Sequence, residues 1–170
     1  MKWVLVVVAG LAVIVAVAAA IGAMLPRGHH ATRRARLRAK PDVVYAVLSG
    51  PPDWRTGVKA FGNLPDKDGR KQWWEQDSHN QRVTFELVEA SPPARLVVRI
   101  ADRGLPFGGT WTFDIAEHAQ GAALRITEDG EVYNVIFRFM ARFVFGYTGS
   151  IETYLRDLGR KFGEPVEIEA

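Results

Sequence analysis

The chain has 170 residues, a net charge of +3 and no cysteine, so a disulfide framework, a thiolate metal site and a cysteine nucleophile are excluded. Its positive charge does not indicate a nucleic-acid binder. The segment from Arg27 to Lys40 carries six cations and no acid, whereas the chain from Pro41 onward carries 15 basic and 19 acidic residues. A nucleic-acid-binding domain needs a basic face on its body. We therefore expect no nucleic-acid partner.

Residues Trp3 to Leu25 form an uncharged apolar run. As a helix it would reach about 34 Å, enough to cross a hydrocarbon layer of about 30 Å. The alternative is a secretory signal peptide, and both Ala18-Ala19-Ala20 and Ile21-Gly22-Ala23 offer small-residue cleavage sites. The run is longer than a typical signal peptide, and only Lys2 precedes it. We predict an uncleaved single-pass anchor over residues 1–26.

The six cations that follow the anchor favour a domain on the cytoplasmic face of the membrane. The alternative is a periplasmic or other extracytoplasmic domain. Residues 31–39 alternate small or apolar residues with Thr32 and arginines, which is the pattern of a strand with one solvated face. On that interpretation the arginines carry no information about orientation.

The remaining chain predicts an α+β domain. A first strand over 31–39 precedes a short helix that begins at Pro41. Alternation and turn residues then predict further strands, and a helical stripe from Ile136 to Phe162 predicts a C-terminal helix of some 25 residues, with Gly146 as a candidate break. The predicted strands that follow the short helix span residues 58–63, 71–77, 82–90, 94–101, 110–117 and 122–129.

This order of elements resembles the helix-grip fold of the START-like, polyketide cyclase/dehydrase and lipid-transport (SRPBCC) superfamily. The resemblance is carried by residues 35–48, Trp54, and residues 85–96, 108–113 and 127–134. It implies a curved antiparallel sheet of about seven strands wrapped around a long C-terminal helix, with a cavity between them. Members bind, carry, cyclise or sense hydrophobic molecules. We assign 27–30 to a basic stem, 31–163 to this domain and 164–170 to a tail.

The cavity implied by the resemblance would be lined by bulky side chains on the inward faces of the strands and the C-terminal helix. Any one of these side chains could instead belong to a plain core. Trp73 and Trp74 point to opposite faces of one strand, so only one of them can line a cavity. The candidate cavity residues are Trp54, Phe85, Leu87, Val98, Trp111, Phe113, Phe139, Phe143 and Tyr147.

Glu128 is the single, weak catalytic candidate. It continues the inward phase of Leu124 and Ile126 near Tyr133, where a half-buried carboxylate could act as a general base or hold a ligand hydroxyl. The favoured alternative places it in an acidic turn, residues 128–131, that caps the C-terminal helix.

The histidines do not predict a metal site. His29 and His30 are adjacent in the stem and are expected to be solvated, while the other two histidines lie in separate loops. No cofactor motif and no Gly-x-Ser-x-Gly elbow are present.

Residues Phe137 to Phe145 are apolar around most of a helical circumference. Packing under the first short helix or a loop would explain this, as would contact with a membrane surface. The small-residue face Gly10, Ala18 and Gly22 is too irregular to predict an oligomeric state.

These patterns favour a membrane-tethered module that binds a small hydrophobic ligand, such as a lipid, a quinone-like or a polyketide-like molecule. The alternatives are a cyclase or dehydratase that uses Glu128 or a tyrosine, and a ligand-free interaction or scaffold domain. Whether a reaction is catalysed stays open, with binding favoured because only one ionisable candidate points inward.

Overall fold

A computed structural model describes residues 1–170 as an α+β domain preceded by an apolar helix. The helices are α1 (Lys2–Met24), α2 (Pro41–Leu48), α3 (Val135–Met140) and α4 (Gly149–Phe162), with a π-helical turn (Ala141–Phe145) after α3. The strands are β1 (Gly28–Leu37), β2 (Ala60–Lys67), β3 (Arg70–Gln76), β4 (Arg82–Ser91), β5 (Arg95–Ile100), β6 (Phe107–His118), β7 (Gly121–Val132) and β8 (Ile168–Glu169). They form one curved antiparallel sheet in the order β2-β3-β4-β5-β6-β7-β1-β8.

The sheet has eight strands where the sequence predicted about seven. The additional strand, β8, lies in the segment predicted as a tail and pairs Ile168 with Ala35 of β1. Gly163 ends α4 in the left-handed conformation (φ +67°), which turns the chain back toward the sheet. A strand of two residues is too short to show an alternation of apolar and polar side chains, so the sequence did not predict it.

Strand β1 begins at Gly28, inside the segment predicted as a stem. Its alternation is as expected, because Ala31, Ala35 and Leu37 are buried in the core. Arginines of this region pair with acids from the C-terminal part of the chain. The N–O distances are 3.2 Å for Arg33 with Glu152, 3.1 Å for Arg36 with Glu169 and 3.6 Å for Arg38 with Glu164. Much of the basic cluster is therefore a paired surface of the domain.

The C-terminal segment is not one continuous helix of some 25 residues but is divided at Gly146, the candidate break named from sequence. The π-helical turn follows α3, and Gly146 at φ +73° separates it from α4. Only α4 enters the core, through Ile151, Leu155 and Leu158, which are completely buried. That the sheet wraps around this helix stays a prediction.

The hydrophobic core occupies one half of the sheet. Its buried members come from β1, β5, β6, β7, α2 and α4, and none comes from β2, β3 or β4. The inner faces of these three strands are therefore left without a packed layer above them. This asymmetry creates the cavity described below.

Helix α1 takes no part in the core. It is long and apolar enough to cross a membrane by length and composition, a test that a signal sequence near the N-terminus also passes, and none of the residues in its apolar window is buried by the domain. Its one buried residue is Gly22, in the last turn. A Cβ at Gly22 would lie 1.9 Å from the carbonyl oxygen of Val135, so only glycine permits this approach of α3.

Arg138 of α3 links this last turn to the domain. Its side chain is buried, and the guanidinium donates to the carbonyl oxygens of Gly22 (3.1 Å) and Leu25 (3.0 Å). It also donates to the carbonyls of Val132 and Tyr133, both at 3.0 Å. Carbonyls at the C-terminal end of α1 have no partner within the helix, and Arg138 satisfies them.

We predict that Arg138→Leu lowers the free energy of unfolding by about 2–4 kcal/mol, because four carbonyl groups lose a charged donor. Arg142→Leu is the matched control, since it removes an exposed arginine one turn later. Thermal unfolding of the detergent-solubilised protein, followed by near-UV circular dichroism, measures both variants. Equal midpoints for the two would contradict the role of Arg138.

A second prediction concerns pH. The hydroxyl of Thr148 (3.0 Å) and the guanidinium of Arg33 (3.2 Å) donate to Glu152 and hold the pKa of this carboxyl below its usual value, against the effect of burial. Because the pKa is depressed in the folded state, the stabilisation is full above the unfolded pKa and is lost as the pH falls through the folded one. Between about pH 5 and about pH 3, wild type should lose about 1 kcal/mol more stability than Glu152→Gln. Denaturant titrations at several pH values measure this difference, and parallel losses would refute it.

Candidate ligand cavity

A cavity of about 1040 Å³ lies over the half of the sheet that the core leaves uncovered. Its walls come from strands β2 to β7, from His29 of β1, from the end of α2 and the loop that follows it, and from Ser150 and Tyr154 of α4. Binding sites for drug-sized ligands have volumes of about 300–1,000 Å³, so this space is at the large end of that range. A fully packed interior would leave no space of this size.

Strand register decides which aromatic side chains face the cavity. Trp73 of β3 is paired with Phe85 of β4, and their rings stack with centroids 5.7 Å apart on the cavity wall. Trp74 faces the other way and lies under the guanidinium of Arg82, 4.0 Å from the ring centroid. Trp73 is therefore the one of the two tryptophans that lines the cavity.

Six of the nine residues proposed from sequence line this cavity, and their role as ligand contacts stays a prediction. The six are Trp54, Phe85, Leu87, Val98, Trp111 and Phe113.

The other three proposed residues lie outside the cavity. Phe139 and Phe143 contact each other at 5.0 Å between ring centroids, and Phe143 is 59% exposed. Tyr147 stacks on His29 at 4.3 Å. Their placement from sequence assumed that the whole segment from Ile136 lies over the sheet. The chain turns at Gly146, so Phe139 and Phe143 do not reach the cavity, whereas Tyr147 packs against the core beside His29.

The loop that carries Trp54 and Arg55 is held against α4 by a buried carboxylate. Asp157 is 2% exposed and accepts hydrogen bonds from the backbone N–H of Thr56 at 2.8 Å and from its hydroxyl at 2.9 Å. The side chain of Arg160 also pairs with Asp157. These hydrogen bonds hold a loop without regular secondary structure in a defined position at the cavity wall.

A polar cluster lies in the wall of the cavity. Glu75 is buried and accepts from Arg55 Nη1 at 2.6 Å and from Trp73 Nε1 at 3.1 Å. The Arg55 guanidinium also lies 4.9 Å from the ring centroid of Tyr154. Sequence analysis missed Arg55 and Glu75. The sequence did contain a signal for Glu75, because it lies two residues after Trp73 and so shares a strand face with it.

Two further groups beside this cluster are suited to hydrogen bonding. Burial raises the pKa of the Tyr154 phenol, with Arg55 opposing the shift and Glu75 adding to it, so the phenol stays protonated near neutral pH. The indole N–H of Trp54 is buried and has no hydrogen-bond partner in the protein. An unsatisfied buried donor costs about 1–3 kcal/mol, which an acceptor atom on a ligand would recover.

Glu128 lines a different part of the cavity, with three strands between it and Glu75. Its Oε2 accepts from the hydroxyl of Ser150 at 2.9 Å, and its Oε1 lies 3.7 Å from Nε2 of His29. The acidic-turn interpretation is wrong, because β7 continues to Val132 and the cap of α3 is Asn134, whose side chain accepts from two backbone N–H groups. The turn was misread because a strand that carries three acidic residues and a glycine near its end has the composition of a loop.

His29 is not the solvated histidine that was expected. Its side chain is 11% exposed, and its Nδ1 is buried without a partner. His30 is exposed and pairs with Asp129 at 2.7 Å. The Ser150 hydroxyl donates to the carboxylate of Glu128 and not to an imidazole, so the order of groups is not that of a nucleophile activated by histidine. No group of three or more His, Asp or Glu side chains is placed to hold a metal ion.

No family model and no curated protein matches the chain. Solved structures do match. A conserved protein from Geobacillus kaustophilus has a TM-score of 0.64 at 13% identity, over 84% of this chain and all of that one. Protein CV1439 from Chromobacterium violaceum has a TM-score of 0.53 at 19% identity, over 83% of this chain and 99% of that one.

The di-domain ARO/CYC protein StfQ of the steffimycin biosynthetic pathway has a TM-score of 0.56 at 11% identity, over 75% of this chain and 48% of StfQ. Identities this low show the fold alone. The neighbours support a helix-grip-like α+β domain, and membership of the SRPBCC superfamily stays a prediction.

We predict that Glu75→Leu lowers the free energy of unfolding by about 2–4 kcal/mol, because a guanidinium and an indole N–H lose their buried acceptor. Glu75→Gln keeps an oxygen acceptor and should cost less. Glu89→Leu is the control, since it removes an exposed carboxylate that also pairs with an arginine. Tryptophan fluorescence during urea unfolding measures the three variants. A Glu75→Leu midpoint equal to that of the control would contradict the prediction.

Proposed function

We propose that this protein is a membrane-tethered binding module that holds a small hydrophobic ligand in the cavity between the sheet and α4. The observation that carries the proposal is the cavity of about 1040 Å³, whose wall combines apolar and aromatic side chains with a polar cluster around Glu75 and a second one around Glu128. Sites for small molecules are mostly apolar and contain a few polar groups that orient the ligand. This cavity has that composition.

The wall chemistry favours a ligand that has a ring system or acyl chain and an acceptor oxygen. Trp73, Phe85 and Trp111 offer aromatic surface to a flat or extended apolar group. The N–H of Trp54, with Arg55 beside it, would hold a carbonyl or hydroxyl oxygen. Lipid, quinone-like and polyketide-like molecules share this chemistry.

The tether is α1. Its fixed contact with the domain supports retention of the helix after synthesis, because cleavage after Ala23 would remove the Gly22 carbonyl that Arg138 binds. His29 lines the cavity only four residues after Leu25, a distance of at most about 14 Å along an extended chain. The cavity therefore begins close to the membrane, and we propose that it is loaded from the bilayer. Three of the six basic residues after α1 pair with acids of the domain, so the proposed cytoplasmic orientation rests on Arg27, Arg34 and Lys40.

A cyclase or dehydratase activity is the second candidate, favoured by the carboxylate of Glu128 at the cavity wall beside Ser150 and His29. Acid–base catalysis needs ionisable groups that converge on one substrate position. Here Glu75 and Glu128 are separated by three strands, and each is already bonded to neighbouring side chains. Binding is therefore the better supported function. The size of the cavity argues against a scaffold without a ligand.

Native mass spectrometry of the detergent-extracted protein tests the proposal. Wild type should carry a co-purifying small molecule. The double variant Leu87→Trp/Val98→Trp places two indole rings on the apolar wall, where they obstruct the ligand, and should lose the adduct. Val88→Trp, at an exposed residue next to Leu87 in β4, should retain it. Lipid bound to α1 would persist in all three proteins. A wild type without an adduct, or an adduct that survives in the double variant, would refute the proposal.

A further inference from the structure

The surface beside α1 has a cluster of exposed apolar side chains. Phe137 is 50% exposed, Phe143 59%, Val144 58% and Phe145 70%. We call these four residues the apolar patch. They contribute nothing to the core, and neither α2 nor a loop covers them. Four large apolar side chains within nine residues are a costly surface in water unless another partner covers them.

The position of the apolar patch relative to α1 indicates how deep the patch would lie in a bilayer that α1 crosses. Gly22 contacts α3 at Val135 and Phe139, and it lies three residues before Leu25. Three residues of helix correspond to about 4.5 Å along the axis. If α1 spans the bilayer, α3 lies level with its last turn, which is the boundary between acyl chains and headgroups. Interfacial helices bury their apolar faces about 5–10 Å into this boundary.

The charges around the patch fit an anionic headgroup layer. Arg27 and Arg142 are exposed and belong to no ion pair in the structure. No acidic residue occurs between Asn134 and Ser150. Arginine beside exposed phenylalanine is the combination that interfacial segments use, because the guanidinium reaches phosphate while the rings enter the acyl region.

We propose that α3 and the π-helical turn lie in the interfacial layer of the bilayer that α1 crosses, with the apolar patch inserted between lipid headgroups. The inference rests on the proposed anchor and is independent of whether the cavity binds a ligand. Continuity favours lipid over a second copy of the chain, because the patch adjoins a helix whose apolar surface is exposed along its length. Gly22, one of the small residues of α1, is already covered by α3 and is not available to a second α1 helix.

The absence of cysteine allows single labels to be placed without removing any native residue. The full-length variants Phe143→Cys, Val13→Cys and His79→Cys each receive a nitroxide and are reconstituted in nanodiscs of phosphatidylcholine and phosphatidylglycerol. Power saturation then compares collisions with oxygen, which concentrates in lipid, and with a nickel chelate, which stays in water. Position 13 reports the centre of α1, and position 79 reports an exposed turn between β3 and β4.

The label at position 143 should lose nickel accessibility relative to position 79 and gain oxygen accessibility toward the level at position 13. Nickel accessibility at 143 equal to that at 79 would place the patch in water and overturn the inference. Dipolar broadening at 143, with shielding from both reagents, would show contact with a second copy and would also overturn it. If position 13 is open to nickel, α1 does not span, and both the inference and the proposed anchor fail while ligand binding by the cavity is untouched.

Discussion

The guanidinium of Arg138, in α3, joins the last turn of α1 to the end of β7, two parts of the chain that are far apart in sequence. A buried guanidinium is costly to desolvate, and the four carbonyl groups around it compensate for that cost. Because Arg138 holds these elements together, the apolar helix has a defined position relative to the sheet. The same contact places α3 beside the last turn of α1. His29 reaches the cavity wall through the pairing of β1 with β7.

The distribution of the core accounts for the cavity. Helix α4 and α2 pack over β1, β5, β6 and β7, while the inner faces of β2, β3 and β4 have no such cover. The loop between α2 and β2 closes this space in part, held by Asp157 through Thr56. Buried charge and hydrogen bonding thus position the loop, and apolar packing positions the helices. This division leaves an aromatic wall next to a polar cluster, which is the arrangement that the proposed ligand-binding function uses.

Much of the fold could be predicted from local pattern. The alternation of Phe85 with Leu87, and of Trp111 with Phe113, indicated strands and correctly indicated which side chains share a face. The long apolar run predicted α1, and the α+β class followed from the order of elements. The prediction was wrong where a local pattern had two interpretations. Residues 128–131 have the composition of a turn, yet pairing with β6 and β1 keeps them in a strand.

The sequence by itself determined the elements that carry their own periodicity, namely the apolar helix, the alternating strands and the apolar stripe of α4. Only the tertiary structure decided which of Trp73 and Trp74 faces the cavity, that Glu75 meets Arg55, and that the candidate break at Gly146 does divide the C-terminal helix. The physical reason is that periodicity shows which residues of a segment share its apolar face and which share its polar face. Contacts between segments depend on strand register and on how the chain returns to the sheet, and these are set by residues far away in the sequence.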